Sequence, residues 1–270
     1  MRPLRQFSPL SAIAVAFAAA CASPALAAES ISTDRPDFVE SSDVVGTGRV
    51  QIETGLSFES NKTADTRSRT RTTPTLLRLG VSDALEVRVE TDGFVRDSQR
   101  DLATGNTQVT HGFSDTSLGL KWHQQDGDEA SGKPGIAWLL HVDVNSGSSA
   151  FRGQGLRPSL RGVAEWDLPY EASVGVMGGV LLDRNAAGER FGAGILAVTL
   201  GKSWTPQWRT FVELAGQSLA SRRNGGSFVT FDTGLTYLVN ESVQLDLAAS
   251  RGLNNTTPDH QWGVGVSVRF

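Results

Sequence analysis

From Trp262 to the final Phe270 the chain alternates without a break. Trp262, Val264, Val266, Val268 and Phe270 are apolar, and Gly263, Gly265, Ser267 and Arg269 lie between them. Period-two alternation marks a strand with one apolar and one polar face. A strand that stops on a terminal aromatic, in a chain that begins with an export-type leader, has the form of the last strand of a bacterial outer-membrane β-barrel. No stretch after the leader is apolar enough for a spanning helix, so a closed barrel is the structure by which this chain would cross a bilayer.

The leader occupies residues 1–27. Arg2 and Arg5 give a positive start, residues 13–20 are apolar, and Pro24-Ala25-Leu26-Ala27 supplies the small-x-small pattern before a cut at Ala28. The chain then divides into an N-terminal segment, 28–48, and a barrel, 49–270. The only cysteine, Cys21, lies in the leader, so neither a disulfide nor a thiolate metal site is expected in the exported chain. Acidic residues outnumber basic ones, and loss of Arg2 and Arg5 widens the gap. A nucleic-acid partner is not expected of such a profile.

Twelve segments alternate as half-apolar strands must: 49–59, 72–81, 84–94, 113–124, 136–145, 158–168, 171–183, 191–204, 208–217, 228–239, 243–251 and 262–270. The seventh and eighth are glycine-rich and their phase is not readable. The connections are sorted. Tight turns at Ser82-Asp83, Pro169-Tyr170, Thr205-Pro206-Gln207 and Asn240-Glu241-Ser242 alternate with longer stretches at 60–71, 95–112, 146–157, 184–190, 218–227 and 252–261. The stretch 125–135 breaks this order, being long where a tight turn is expected. Short periplasmic turns and long outer loops are what an outer-membrane barrel shows. A soluble all-β fold would turn its apolar residues inward and has no reason to sort its loops. The expected fold is therefore all-β, a single antiparallel transmembrane barrel of about twelve strands.

Two stretches carry a family resemblance. The first has Thr33-Asp34-Arg35-Pro36, then a Gly46 to Gly48 spacer, then Gln51, Glu53 and Gly55 in a first strand of the Gln-x-Glu-x-Gly type. The second is 231–270. With the Gly80-Val81-Ser82-Asp83-Ala84-Leu85-Glu86 turn between them, these resemble the MetA-pathway phenol-degradation family. The resemblance implies an outer-membrane barrel of the transporter kind. It brings no catalytic residues and no defined substrate.

With the apolar face toward lipid, the polar face lines the lumen. That places Arg78, Glu86, Arg88, Glu90, Lys121, His141, Asp143, Arg161, Glu165, Glu213, Asp232, Asp246 and Arg269 inside. Charges in a confined space must pair or be solvated. They read either as cross-lumen ion pairs that fill the interior or as the lining of a path for a small solute. The segment 33–38, with Thr33, Asp34, Arg35 and Pro36, is expected to enter the barrel from the periplasmic side as part of a plug; the alternative is a flexible tail. Counted over 60–71, 95–112, 146–157, 183–190, 218–227 and 251–261, the outer stretches carry thirteen basic residues against six acidic ones. Guanidinium groups bind phosphate well, so Arg67, Arg69, Arg71, Arg222 and Arg223 are expected to face lipopolysaccharide. Phe270 is the expected recognition point for the barrel-assembly machinery.

Signals for catalysis are weak. His111, His123, His141 and His260 are far apart and show no metal-ligand spacing. No Gly-x-Ser-x-Gly, phosphate loop or dinucleotide fingerprint occurs. A lipid hydrolase at the outer rim would have to use His111 with Ser114, or His260. No cofactor is expected.

Overall fold

A computed structural model describes residues 30–185 and 187–270; the leader and its cleavage point lie outside them. Among the described residues fifteen strands form one antiparallel sheet: β1 (Val50–Lys62), β2 (Thr66–Thr72), β3 (Thr75–Ser82), β4 (Leu85–Thr91), β5 (Phe94–Asp101), β6 (Thr107–Phe113), β7 (Thr116–Gln125), β8 (Gly135–Val144), β9 (Arg157–Leu168), β10 (Ala172–Arg184), β11 (Arg190–Ser203), β12 (Trp208–Leu219), β13 (Phe228–Asn240), β14 (Val243–Gly252) and β15 (His260–Arg269). Twelve of them, all but β2, β5 and β6, close a barrel. The seam is β1 against β15, in register from Gln51↔Arg269 to Ser60↔His260.

Strands β2, β5 and β6 occupy the stretches 66–72, 94–101 and 107–113, most of which reads in sequence as loop. They prolong β3, β4 and β7 beyond short breaks. At Pro74 the ring removes a backbone donor, and at Gly93 the backbone takes φ 65. Backbone bonds from Thr73 to Asp92 (3.0 Å) and from Ser114 to Gly93 (2.9 Å) carry the ladder across the breaks. The outer half of β1 therefore pairs with β2 and the inner half with β3. Sequence periodicity missed this extension for a physical reason. A sheet that rises past the hydrocarbon needs no apolar face, and Arg67, Arg69 and Arg71 alternate only with Ser68, Thr70 and Thr72.

Apolar side chains project outward: Leu118, Leu120, Leu140, Leu160, Leu196, Leu214, Leu245 and Val264 are all exposed. Along the barrel strands Gln51, Glu53, Arg78, Glu86, Lys121, Glu213 and Ser267 project inward and are buried. The long stretch after β7 is built as a turn: a 3-10 segment at Glu129–Ser131 is capped by the Asp128 carboxylate and closed by an Asp128↔Lys133 bridge.

Candidate functional site

The N-terminal segment lies inside the barrel. Ile31 N–H bonds the Glu241 carbonyl at one short turn, and Thr47 Oγ1 bonds the Asp83 carboxylate at another. Both ends thus sit at the short-turn rim, and the chain between them rises into the bore and returns. Such an irregular segment cannot satisfy its own N–H groups, so something else must. The wall supplies glutamates. Glu53 accepts from the N–H of Asp34 (3.1 Å) and Arg35 (3.0 Å), Glu213 from Phe38 and Val39 (both 2.8 Å), and Glu86 from Val45 (3.0 Å); Glu165 accepts from Ser42.

The segment's own charges meet opposite charges on the wall. The Asp34 carboxylate takes Arg88 Nη1 at 2.6 Å, Lys121 Nζ at 2.8 Å and Arg78 Nη1 at 3.4 Å. Glu40 lies between Arg88 (2.7 Å) and Arg161 (2.8 Å). Arg35 forks onto Asp246 at 3.0 and 3.2 Å, and Asp37 meets Arg209 at 3.3 Å. Arg78 is fully buried and also bridges Glu53 (3.1 Å) and Glu86 (2.9 Å), so charges of both signs are matched in a dry space. Burial alone would raise the Asp34 pKa. The attraction of Arg78, Lys121 and Arg88 outweighs it and holds the carboxyl below its ordinary value.

This geometry gives the terminal motifs a physical meaning. Gln51 Nε2 donates to the Ser32 carbonyl and to Glu53, both at 2.8 Å. Gly55 stands opposite Gly265 across the β1–β15 seam. A Cβ on either would come within 2.7 Å of the Arg35 guanidinium, which occupies the space both residues leave open.

The other half of the interior is apolar. Val39 packs among Ala137, Leu139, Val163, Met177, Ile195, Ala197 and Ala215, with Phe38 and Leu181 beside them. The inward rows of β10 and β11 are thus apolar where they meet the segment, and their outward rows are apolar for lipid. With both faces apolar no alternation survives, and the phase is unreadable in sequence.

The thirteen wall residues named from sequence all fall on inward rows, and they divide into groups. Arg78, Glu86, Arg88, Lys121, Arg161, Glu165, Glu213 and Asp246 contact the segment through the bonds above or, for Lys121 and Arg78, also at the Asp43 carbonyl. His141 is buried against Gly119. Asp232 accepts from Thr230 Oγ1 at 2.7 Å, and Arg269 donates to the Glu241 carbonyl at 3.3 Å. Glu90 and Asp143 instead line a cavity of about 590 Å³ at the long-loop end, with Arg157, Arg161 and Arg184. A second cavity of about 490 Å³ opens at the short-turn end beside Asp37, Glu165 and Arg209. The segment lies between them. Val39 and Glu40 lie beyond the 33–38 segment expected to enter the barrel, and the contacts of Glu53 and Phe38 are not readable in sequence. The Gln-x-Glu-x-Gly element was a signal for Glu53; nothing local marks the others.

Arg223 pairs with Glu189 at 2.9 Å and so is tied to a neighbouring loop. The Ser114 hydroxyl bonds Thr91 Oγ1 at 2.9 Å, while His111 sits on the outward row opposite Arg96. Among the described residues no group of His, Cys, Asp and Glu could hold a metal ion.

The family described as "Putative MetA-pathway of phenol degradation" matches residues 33–270. No curated protein matches the sequence. Among solved structures, the chain is similar to the COG4313 outer membrane channel from Pseudomonas putida F1, at 11% identity and TM-score 0.61, covering 84% of this chain and 97% of that one. It is also similar to the β domain of the Bordetella autotransporter BrkA, at 12% identity and TM-score 0.54, covering 82% and 99%. At these identities the likeness is one of fold, the outer-membrane barrel. The match spans nearly all of the described chain, and the chain belongs to this family.

Proposed function

We propose that this outer-membrane barrel is a gated passage for small solutes, with its own N-terminal segment as the gate. One observation carries the reading. Two cavities, at opposite ends of one bore, are separated by a segment held there through ion pairs and wall-to-backbone hydrogen bonds. Twelve strands enclose more room than the eight whose interior side chains alone fill. Here the added room is taken up by a movable piece of chain.

The two-sided lining supports a class of solute. One side offers guanidinium and ammonium groups, the other Leu139, Val163, Met177 and Ile195. A molecule with an apolar body and a small polar or anionic end fits such a bore, and phenolic compounds and aromatic acids have that form. The family description agrees with this choice and does not establish it. A channel is favoured over a rim hydrolase because the Ser114 hydroxyl bonds Thr91 Oγ1, while His111 stands on the outward row opposite Arg96.

The test is planar-bilayer conductance of the intact protein against an Asp34→Asn/Glu40→Gln variant, and against protein cleaved proteolytically before Gly46. A low resting conductance that rises at least several-fold in both altered forms is expected. Liposome swelling with sugars, amino acids and phenolic compounds then ranks solutes, with phenolics entering faster than sugars of similar size. Equal conductance in all three forms would leave a structural barrel with a filled lumen.

A further inference from the structure

The outward face of the sheet extension carries an unbalanced set of arginines. On that face, β1 presents Phe58, Ser60 and Lys62, and β2 presents Arg71, Arg69 and Arg67 opposite them. Strand β5 continues the rows with Arg96, Ser98 and Arg100. On the other side of β1, Trp262 and His260 stand opposite Phe58 and Ser60, and Arg251 stands opposite His260. All six arginines are exposed. No Asp or Glu occurs on these outward positions. Among the described residues none of the six arginines has an ion pair.

Two features make this more than a solvated rim. Arg71 lies directly across from Arg96, and Arg67 directly across from Arg100. Like charges directly opposite one another destabilise a sheet, so the arrangement calls for an anion between them. The patch also has a fixed height. Phe58 stacks on Trp262 at 4.1 Å, and the Arg71 guanidinium lies 5.7 Å from the Phe58 ring centre. Phe94 meets Phe113 edge-on at 5.7 Å on the same face. Aromatic side chains of this kind mark the interface between hydrocarbon and headgroups. The arginines begin at that level and continue away from the hydrocarbon, where the phosphates of an outer-leaflet lipid lie.

We propose that the outward face of β14, β15, β1, β2 and β5 is a binding site for a phosphorylated glycolipid of the outer leaflet, lipopolysaccharide. Its phosphates would sit between the paired arginines and its acyl chains would lie along Leu56, Val264 and Leu247. Paired guanidinium groups suit phosphate because each presents two parallel donors. Arg251, Arg96 and Arg100 thereby join Arg67, Arg69 and Arg71, whereas Arg223, paired with Glu189, does not.

The test uses the full barrel in lipid nanodiscs containing either bisphosphorylated lipid A or its enzymatically dephosphorylated form, with bound lipid read by native mass spectrometry. Retention of the phosphorylated lipid at least tenfold above the dephosphorylated one is expected. A Arg69→Gln/Arg71→Gln/Arg96→Gln variant should lose most of that difference, and the Arg→Lys triple should retain an intermediate share. Heat-modifiable migration on gels reports whether each variant keeps the barrel. Equal retention of the two lipids, or an unchanged preference in the folded Gln variant, would overturn the proposal. So would complete displacement of lipid A by millimolar inorganic phosphate, which would identify a site for free anions.

Discussion

Asp34 is the residue on which the interior converges, because three cationic side chains and the Ser41 N–H all point at its two oxygens. Its carboxyl is held below the ordinary value of 3.8 despite burial. A depressed carboxylate contributes stability that is fully present above its unfolded value and is lost only as pH falls through the lower folded one. The contribution of Asp34 to docking should therefore persist from neutral pH to below 3.8, and its loss should raise conductance only in stronger acid. A conductance titration between pH 7 and pH 3 checks this; opening near pH 5 would assign the gate to another group. Gly265 is the second residue of consequence. In Gly265→Ala the new Cβ would meet the Arg35 guanidinium at 2.5 Å, so the fork onto Asp246 must shift. Loss of charge-assisted hydrogen bonds of this kind costs about 1.5–3 kcal/mol. Faster protease cleavage of 31–45 in the folded barrel is the expected readout.

At the scale of elements, the extension β2–β5–β6 is separable from the barrel beneath it. The breaks at Pro74, Gly93 and Asp115 mark where the staves leave the hydrocarbon, and β3, β4 and β7 keep their own pairings below. Thr70→Pro would remove a ladder donor from the middle of β2, which is paired on both sides. The expected outcome is a barrel with unchanged heat-modifiable migration and a markedly reduced content of co-purified lipid. The same stretch of chain shows which strands are legible in sequence and why. Twelve alternating segments were legible because one face of each stave must be apolar for lipid. The extension was not, because both of its faces are polar. Strands β10 and β11 read as strands, but an apolar lumen that no local pattern announces hides their phase.

At the scale of the molecule, the inside and outside of the barrel are set by solvation. Val266 faces outward and Ser267 is fully buried on the inward row. Nitroxide labels at these two positions should differ sharply, with bilayer-dissolved oxygen reaching the label at Val266 and sparing the one at Ser267. Leu140, near the middle of β8 and exposed on the outer surface, gives an energetic check. Leu140→Arg should lower folding stability in lipid by about 2–4 kcal/mol if it lies at the bilayer midplane, measured by urea titration in liposomes.

What the amino-acid order settled alone was the barrel, its polarity and the strands that span it, since those follow from a period-two contest between lipid and lumen that every stave must win locally. The partnership of Asp34 with Arg78, Arg88 and Lys121, the Gly55–Gly265 space for Arg35, and the alignment of six arginines on one outward face came only from closure. Each joins residues tens to hundreds of positions apart, and only the register of neighbouring strands determines which side chains share a height.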